Sequence, residues 1–518
     1  MPMTHRLLLL SFLLSGCSGD AGKPDGSTID DPTVDPTGPP TTDDPPTPPE
    51  ACPVVVAFDT SPGVQPLEQR FTVTLDGPAA VWATCAADAT PEELHLVEST
   101  ASADTHELVL RGLLGATDYT CEVRPTCGGD PASTSFTSGT PSGPPQFVVE
   151  SDPSAQLDGA YTLFNSQEGC FGGDQWALIV DPDGKVRWMY KIEAGYVSDI
   201  DLYLVDSEHL HIGGGWGLLD EGEPNRGVFR TIDLSGQVQV ERSEPDFGIG
   251  FNHHSEPLDD GTYLSLTAHT DSLGTHEWHG VGIEVWSPTD GVVWSWDSQA
   301  LVDGGYIPEP SAFAGDLPYH ANAVAMVQDA HGDAVWVSNF GMEELWRLDR
   351  ATGELTDVFG DGGDFALVDP AGDPLPDGDF PSVQHGPDYQ DDRVLVYDNG
   401  QDDNQTRVVE YQLDLDAHVA VQLWEWTEPG WYHPILGDAD YLPGGNVLVT
   451  QGNSCFTLFG PESSIVELAP PATEVWRMWW PGNNFSSYRA ERYDGCEVFG
   501  NARYCPAIAD RIAELSAR

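Results

Sequence analysis

Three histidines occupy corresponding places in separate segments of the chain: His254, His320 and His385. Each leads through a short run and a polar turn into an apolar strand, as in "QHGPDYQDDRVLVYDNG" around His385. An uncharged imidazole can act as a nucleophile or a general base near neutral pH, because its ordinary pKa is about 6.5. Aligning the segments on their turns adds Asp201 and Asp438 at equivalent positions. The pattern predicts one shared site if the segments surround a common axis.

An internal repeat over residues 144–518 indicates such an axis. Six copies of an apolar run, a turn and an aromatic-rich strand follow one another, among them "ALIVDPDGKVRWMY" and "GIEVWSPTDGVVWSW". Each copy reads as the outer hairpin of a four-stranded sheet, at intervals of about 60 residues. We predict a six-bladed β-propeller, with seven blades, one of them degenerate, as the alternative. Equivalent residues at the starts of the innermost strands would then face one funnel.

The composition also indicates an all-β fold. Gly 55 and Pro 42 accompany many short runs of Val, Ile, Trp and Tyr, which is typical of strands separated by turns. Helical periodicity is confined to "AIADRIAELSAR", from Ala507. The 518 residues are enough for two or more domains.

Residues 1–17, "MPMTHRLLLLSFLLSGC", have the form of an export signal with one basic residue and a short apolar stretch. The stretch is too short to span a membrane. Its end resembles the bacterial lipobox, which implies cleavage before Cys17 and lipidation of that residue. An ordinary signal peptide is the alternative. Ser18 at the next position favours the outer membrane, with the protein facing the periplasm or the cell surface.

Two further units precede the repeat. Residues 18–50 are mostly Pro, Asp, Thr and Gly, so we expect a disordered, extended linker. Residues 51–143 contain alternating strands, with Trp82 expected to face inward, and the segment "LRGLLGATDY" that ends at Tyr119. This segment resembles part of a fibronectin type III-like β-sandwich. The resemblance implies that the Tyr119 hydroxyl bonds to nearby backbone.

The formal net charge of −63 limits the possible partners. Such a chain repels phosphate backbones, which excludes nucleic acid. We interpret the charge as solubilising an exported protein, with weak cation binding as the alternative. An anionic substrate would need a local positive group.

Eight cysteines remain after Cys17, an even number that predicts disulfide bonds in an exported protein. Four precede residue 130 and four follow residue 169, so each group can pair within itself, with Cys496 and Cys505 as plausible neighbours. The cysteine spacing predicts no metal site. Three converging imidazoles could hold zinc or copper, but the Asn322 context fits an oxyanion better, and we expect neither metal nor cofactor.

The histidine segments resemble the arylsulfate sulfotransferase family of bacterial periplasmic enzymes. The resemblance covers most of residues 150–495 and rests on "HHSEPLDDG", "YHANAV", "QHGPDY" with "LVYDNG", "RVVEY", "GDADYLPGGNVLV" and "SSYRAERY". It implies a six-bladed propeller with an N-terminal β-sandwich. It also implies that a funnel histidine, here His385, takes a sulfuryl group from a phenyl sulfate and passes it to a phenol.

The same resemblance implies roles for four more residues. His320 and Asn322 match the family's oxygen-binding pair, and His254 matches a further funnel histidine, a candidate acid–base group. His253 is the possible substitute for His254, because adjacent strand residues face opposite ways. With His385, the histidines at 254 and 320 are the candidate catalytic residues.

The chain departs from the family pattern at two basic positions. Asn339 and Phe340 stand where the family has an arginine after His-x-Asn, and the family's C-terminal lysine is unmatched, since the last lysine is Lys191. Arg407 and Arg489 are the candidate replacements for binding a substrate anion.

Two hypotheses follow. The first is a lipid-anchored aryl sulfotransferase-like enzyme acting on small phenolic sulfates and phenols, with His385 as nucleophile. The second is a non-catalytic surface propeller that binds a glycan or a protein. Convergence of the histidines with a basic group would favour the enzyme. Asp398 and Asn399 are expected to be turn residues, and the possibility of a homo-oligomer stays open.

Overall fold

The computed structural model describes residues 52–152, 154–155, 157–169, 173–192, 199–215, 227–242, 251–306, 319–376, 379–452, 462–481 and 485–517. The signal segment with Cys17 and the linker at 18–50 lie outside these residues, as do Cys170 and Cys455.

The first unit is one five-stranded antiparallel sheet in the residues that the structure describes. Its strands are β1 (Val55–Pro62), β2 (Gln69–Ala87), β3 (Thr90–Leu110), β4 (Asp118–Pro125) and β5 (Ala132–Thr137). The first half of β2 pairs with β1 and the second half with β4, while β3 pairs along both halves. Register shifts in β2 let the sheet fold over its own core.

Two aromatic residues of this unit were singled out in the sequence. The Tyr119 hydroxyl accepts a hydrogen bond from the backbone N–H of Leu114 at 2.9 Å, the contact that the resemblance implied. Trp82 is buried, but on the other face of β2 from the core. It packs against Leu96 and Leu515, because strand alternation puts its neighbours in the core and leaves Trp82 to the chain's C-terminal segment.

The larger part of the chain continues this all-β architecture. In its described residues the strands are β6 (Val148–Ser151), β7 (Tyr161–Glu168), β8 (Gln175–Val180), β9 (Val186–Ile192), β10 (Ile200–Leu204), β11 (His209–Gly214), β12 (Val228–Asp233), β13 (Val238–Glu241), β14 (Phe251–Pro257), β15 (Tyr263–Leu273), β16 (His276–Ser287), β17 (Gly291–Asp297), β18 (Ala321–Asp329), β19 (Gly332–Asn339), β20 (Glu344–Asp349), β21 (Leu355–Gly360), β22 (Ala366–Val368), β23 (His385–Gln390), β24 (Arg393–Asp398), β25 (Arg407–Asp414), β26 (Val419–Trp426), β27 (Asp438–Tyr441), β28 (Val447–Gln451), β29 (Ser464–Ala469), β30 (Thr473–Trp479), β31 (Phe485–Ser486) and β32 (Ala490–Tyr493).

Three short helices accompany the strands in the described ranges: α1 (Gln299–Asp303), α2 (Gly495–Val498) and α3 (Pro506–Ser516). The helix predicted from Ala507 is confirmed as α3, with a proline in its first turn, where a missing N–H costs nothing. No helix in this part of the chain is long and apolar enough to cross a membrane.

The strands after β5 form propeller-like antiparallel sheets. In the described residues their orders are β31-β7-β8-β9 with β32 on β7, β10-β11-β12-β13, β14-β15-β16-β17, β18-β19-β20-β21, β22-β26-β25-β24-β23, and β27-β28-β29-β30-β6. The innermost strands of neighbouring sheets contact one another in turn, from β10 through β14, β18 and β23 to β27. Middle strands such as β8, "QWALIV", are buried along their whole length, because neighbouring sheets cover both faces.

The two ends of this region close the ring. Strand β32 pairs antiparallel with β7, from Ala490 opposite Phe164 to Tyr493 opposite Tyr161. Strand β6 pairs with β30 at the outer edge of the last sheet. The first and last sheets are therefore held together by strands from distant parts of the chain.

Three disulfide bonds lie in the described residues: Cys52–Cys127, Cys85–Cys121 and Cys496–Cys505. They confirm pairing within the N-terminal group and between the two C-terminal neighbours. Disulfide bonds are consistent with an exported protein. Cys170 and Cys455, the remaining two, lie outside the described residues.

A buried ion cluster joins the first unit to the sheets that follow. Arg187 of β9 bonds to both Glu93 of β3 and Asp181, with its Nε 2.7 Å from Asp181 Oδ2 and its Nη2 3.1 Å from Glu93 Oε2. Asn501 donates to Glu93 at 2.8 Å, so the C-terminal segment takes part as well. All these side chains are buried, which makes the cluster sensitive to the loss of any member.

We expect Arg187→Met to lower the free energy of unfolding by roughly 3–5 kcal/mol, because Glu93 and Asp181 would stay buried without their cation. Lys191→Met is the matched control: it removes a cation from the same strand whose pair with Asp174 is half exposed. That variant should cost at most about 1 kcal/mol. Urea unfolding followed by tryptophan fluorescence measures both. Equal midpoints for the two variants would contradict a stabilising role for the ion cluster.

Candidate active site

The histidines lie at one end of the innermost strands. His254 is in β14, His320 directly precedes β18, and His385 is the first residue of β23. His254 and His385 are 4% and 3% exposed, while His320 is half-buried. The ring of Phe340 contacts two of them, with its centroid 5.0 Å from that of His320 and 5.2 Å from that of His385. The structure therefore brings these histidines into one cluster.

A single amide fixes the orientation of the His385 ring. Asn399 Nδ2 donates to the backbone carbonyls of His433 at 2.7 Å and Leu436 at 2.9 Å. Its oxygen must then face His385 Nδ1, which lies 2.7 Å away. Because an amide oxygen only accepts, Nδ1 carries the proton and Nε2 keeps its lone pair. That lone pair accepts a long hydrogen bond from the N–H of Leu436, at 3.4 Å.

Asn399 thus does more than form the expected turn. It determines which nitrogen of His385 carries the proton, and so it orients the ring. The available signal was the Asp-Asn-Gly that ends β24, the strand paired with β23. Asp398 does serve the turn, accepting from the N–H groups of Ser382 and Gly400, both at 2.9 Å.

Both adjacent histidines of β14 face the cluster, although alternation predicted only one. The register of β14 shifts between Phe251 and Ser255, and His253 has a left-handed backbone with φ 45°. A bulge of this kind turns consecutive side chains toward one side. His253 Nε2 then lies 2.8 Å from His320 Nε2, while His254 points to a different group.

That group is Arg489, which lies directly before β32. Its Nη1 donates to His254 Nδ1 at 2.6 Å, and its Nη2 donates to the Asn322 carbonyl at 2.9 Å. Its Nε lies 3.4 Å from Asp201 Oδ1 and 3.9 Å from Asp438 Oδ1. The guanidinium is 6% exposed, so the cluster contains a buried cation shared by two carboxylates.

The structure does not bring Arg407 to the histidines. Arg407 belongs to β25, the third strand of its sheet, and donates to Asp398 at 2.8 Å and Glu425 at 3.0 Å. Asn322 is fully buried, and its Nδ2 donates to the Gln384 carbonyl at 2.7 Å. This bond links β18 to the residue before His385, so the Asn322 side chain helps to hold two neighbouring strands together.

Burial keeps the histidines uncharged. Desolvation lowers the pKa of His385 to about 3 despite the opposing hydrogen bond from Asn399. Desolvation likewise lowers the pKa of His253 to about 3, and the charge of Arg489 adds to it. The pKa values of His254 and His320 also lie well below the usual range, chiefly through burial. Neutral imidazoles are the form required for a nucleophile or a base.

Carboxyl groups around Arg489 shift in the opposite direction. Burial raises the pKa of Asp438 to about 7, although Arg489 opposes the shift. Burial also holds the pKa of Asp201 well above its usual range, again against Arg489. Protonation of Asp438 near neutral pH would leave more of the positive charge of Arg489 uncompensated.

The family model for arylsulfotransferase (ASST) matches residues 149–489, about two thirds of the chain. The chain belongs to the arylsulfotransferase family. The matched region contains the histidine cluster and ends at Arg489, whereas the first unit lies before it. No curated protein matches the chain.

Solved structures add likenesses at low similarity. The RS223 β-xylosidase is 11% identical with a TM-score of 0.31, over 54% of this chain and 94% of its own. Kluyveromyces lactis Hsv2 is 9% identical with a TM-score of 0.30, over 85% of this chain and 99% of its own. The β-propeller domain of the Trilobed protease from Pyrococcus furiosus is 9% identical with a TM-score of 0.25, over 85% and 95%. At these scores the arylsulfotransferase assignment rests on the family match alone.

We expect the His385 ring to stay neutral, with its proton on Nδ1, from neutral pH down to about pH 5, because its pKa is about 3. Asn399→Asp should raise that pKa by about 1–3, since a carboxylate beside Nδ1 favours the imidazolium. NMR of ¹⁵N-histidine-labelled protein measures both. Titration of His385 near pH 6.5, the ordinary pKa of a histidine, would contradict the burial argument.

Proposed function

We propose that the protein transfers a sulfuryl group from a phenolic sulfate ester to a phenol through a covalent intermediate on His385. Family membership supports aryl sulfotransferase-like activity in general. The observation that carries the finer proposal is the Asn399–His385 hydrogen bond, which leaves the lone pair on Nε2 of a buried, neutral ring.

The reaction proceeds in two displacements. In the first, His385 Nε2 forms a bond to sulfur while the bond between sulfur and the aryl oxygen breaks, and the electron pair leaves on the phenolate. In the second, the acceptor phenol loses its proton to a base, its oxygen bonds to sulfur, and the N–S electron pair returns to Nε2. Splitting the transfer in this way makes each displacement easier than direct exchange. Positioning of the sulfur opposite Nε2 then dominates catalysis.

Arg489 supplies the positive charge that such an anion requires. It stands beside His254, and the Tyr488 hydroxyl donates to the Asn322 carbonyl at 3.1 Å in the same cluster. Charge-assisted bonds to the sulfuryl oxygens would strengthen as negative charge develops on them. Arg489 is thus the proposed replacement for the family's missing arginine and lysine, and Arg407, engaged elsewhere, is not.

A second candidate function is binding without catalysis. It is favoured by one observation: Asn339 and Phe340 occupy the place of the family's arginine, and Phe340 puts an apolar ring against both His320 and His385. Such a funnel could hold a glycan or a protein segment. The presence of Arg489 beside the histidines favours the enzyme.

We also propose an architecture and a cellular location for the protein. Residues 144–518 form a six-bladed propeller, and residues 51–143 form a fibronectin type III-like sandwich, to which the Tyr119 contact lends support. Residues 1–17 serve as the signal, Cys17 as the lipid anchor in the outer membrane, and residues 18–50 as the linker above it. The substrates are small phenols and their sulfate esters.

We expect wild-type protein incubated with 4-nitrophenyl sulfate to gain the mass of one SO₃ group and release nitrophenol. His385→Ala should show neither, because it lacks the nucleophile. Intact-protein mass spectrometry and nitrophenol absorbance measure the two events. His209→Ala, which removes an exposed histidine, should behave as wild type. A folded wild-type protein without adduct or release would overturn the enzyme and leave the binding function.

Lipidation is tested in a bacterial host. We expect membrane-fraction protein to carry acyl chains on an N-terminal Cys17, and Cys17→Ala to abolish them. Mass spectrometry of the N-terminal peptide distinguishes the two. A wild-type protein cleaved at another position and recovered without lipid would show an ordinary signal peptide instead.

A further inference from the structure

Three side chains in the cluster form a line from the interior toward the half-buried His320. Asp199 Oδ2 lies 3.4 Å from His253 Nδ1, and His253 Nε2 lies 2.8 Å from His320 Nε2. The two rings are nearly parallel, at 28°, with centroids 4.9 Å apart. Asp199 and His253 are each 3% exposed. The line therefore runs from a buried carboxylate through one imidazole to another.

The geometry constrains the protons on this line. Two neutral imidazole nitrogens at 2.8 Å must share one hydrogen, so one donates and the other accepts. The carboxylate of Asp199 favours a proton on His253 Nδ1, which leaves His253 Nε2 as the acceptor. His320 then donates through Nε2, and the lone pair of its ring resides on Nδ1.

The backbone is distorted to make this line possible. Asp199 and His253 both have left-handed conformations, with φ of 71° and 45°, which L-residues rarely adopt. Gly214 lies against them, and a Cβ there would come within 2.3 Å of the His253 carbonyl oxygen. Such outliers concentrate where a fold holds side chains for function.

We propose that Asp199, His253 and His320 form a proton relay that serves as the general base for the acceptor phenol. The proposal rests on the proposed sulfuryl transfer. As the phenol oxygen bonds to sulfur, its proton passes to Nδ1 of His320 and the N–S electron pair returns to His385. The proton on His320 Nε2 shifts toward His253, and the carboxylate of Asp199 stabilises the resulting imidazolium. His320 is the catalytic base, and Asp199 and His253 are positioning residues.

The relay places the acid–base role on His320 and not on His254. The Nδ1 of His254 already accepts from Arg489, because a guanidinium can only donate. His254 consequently holds the anion-binding arginine in place. The two adjacent histidines therefore have different roles: His253 takes part in the relay, and His254 accepts a hydrogen bond from Arg489.

The test compares acceptors that do and do not need a base. Sulfo-enzyme is formed with 4-nitrophenyl sulfate and then chased with phenol, which is protonated at neutral pH, or with pentafluorophenol, which is ionised. Mass spectrometry follows the loss of the adduct and the appearance of each aryl sulfate. We expect Asp199→Asn to reduce the phenol rate at least ~10-fold more than the pentafluorophenol rate, a fraction of what a general base contributes.

A second variant and a control protect the result from folding artefacts. His253→Asn keeps a residue that tolerates positive φ but cannot relay a proton, and it should shift the ratio of the two rates in the same direction. The double variant should be no worse than His253→Asn alone, since the residues act as one unit. Asp206→Asn removes an exposed Asp–His pair at the other end of the same hairpin and should leave the ratio unchanged.

The possible outcomes separate the two proposals. A normal burst with a changed ratio in both relay variants supports the relay. Equal losses with both acceptors, or no loss, would overturn the relay while sulfuryl transfer stands. Absence of sulfo-enzyme in the wild type would overturn the transfer itself and the relay with it.

Discussion

Closure of the ring is the constraint on which the rest of the structure depends. Strand β32 pairs with β7 across more than 300 residues of chain, and the innermost strands contact one another in succession from β7 to β27. Arg489 and Tyr488 directly precede β32. The same pairing that completes the fold therefore delivers the cation to the histidines. One segment of the chain therefore contributes both to ring closure and to the site.

The interior of the ring is polar, and its burial determines its chemistry. Desolvation pushes the pKa values of the histidines down and those of Asp201 and Asp438 up, so both residue types tend toward their neutral forms. Burial opposes the charge of Arg489 as well, but the pKa of its guanidinium still lies well above the usual range, because Asp201 and Asp438 raise it whenever they are ionised. In a chain with a net charge of −63, Arg489 places a buried positive charge beside the histidines. The acidic exterior is thus negatively charged, whereas the site contains a positive charge.

Much of the architecture could be read from the sequence. Apolar runs repeated at regular intervals predicted successive small sheets, and the alignment of turns placed His254, His320 and His385 at equivalent strand starts. These inferences succeed because they depend on local patterns, and every repeat packs in the same way against its neighbours. The disulfide pairing of Cys496 with Cys505 was readable for the same reason. The C-terminal helix was also predictable, because its residues show helical periodicity.

The sequence did not show which group each polar side chain contacts. Arg407 and Arg489 had equal standing in the sequence, but only the latter lies beside the ring-closing strand. Alternation allowed one of His253 and His254 to face the funnel, yet a bulge turns both inward. Asn399 looked like a turn residue, and only the carbonyls of two distant residues show which way its amide faces. The sequence determines strands, repeats and the residue types at their starts, because these are local. Tertiary structure decides which groups meet, because that depends on bulges and ring closure between segments far apart in the chain.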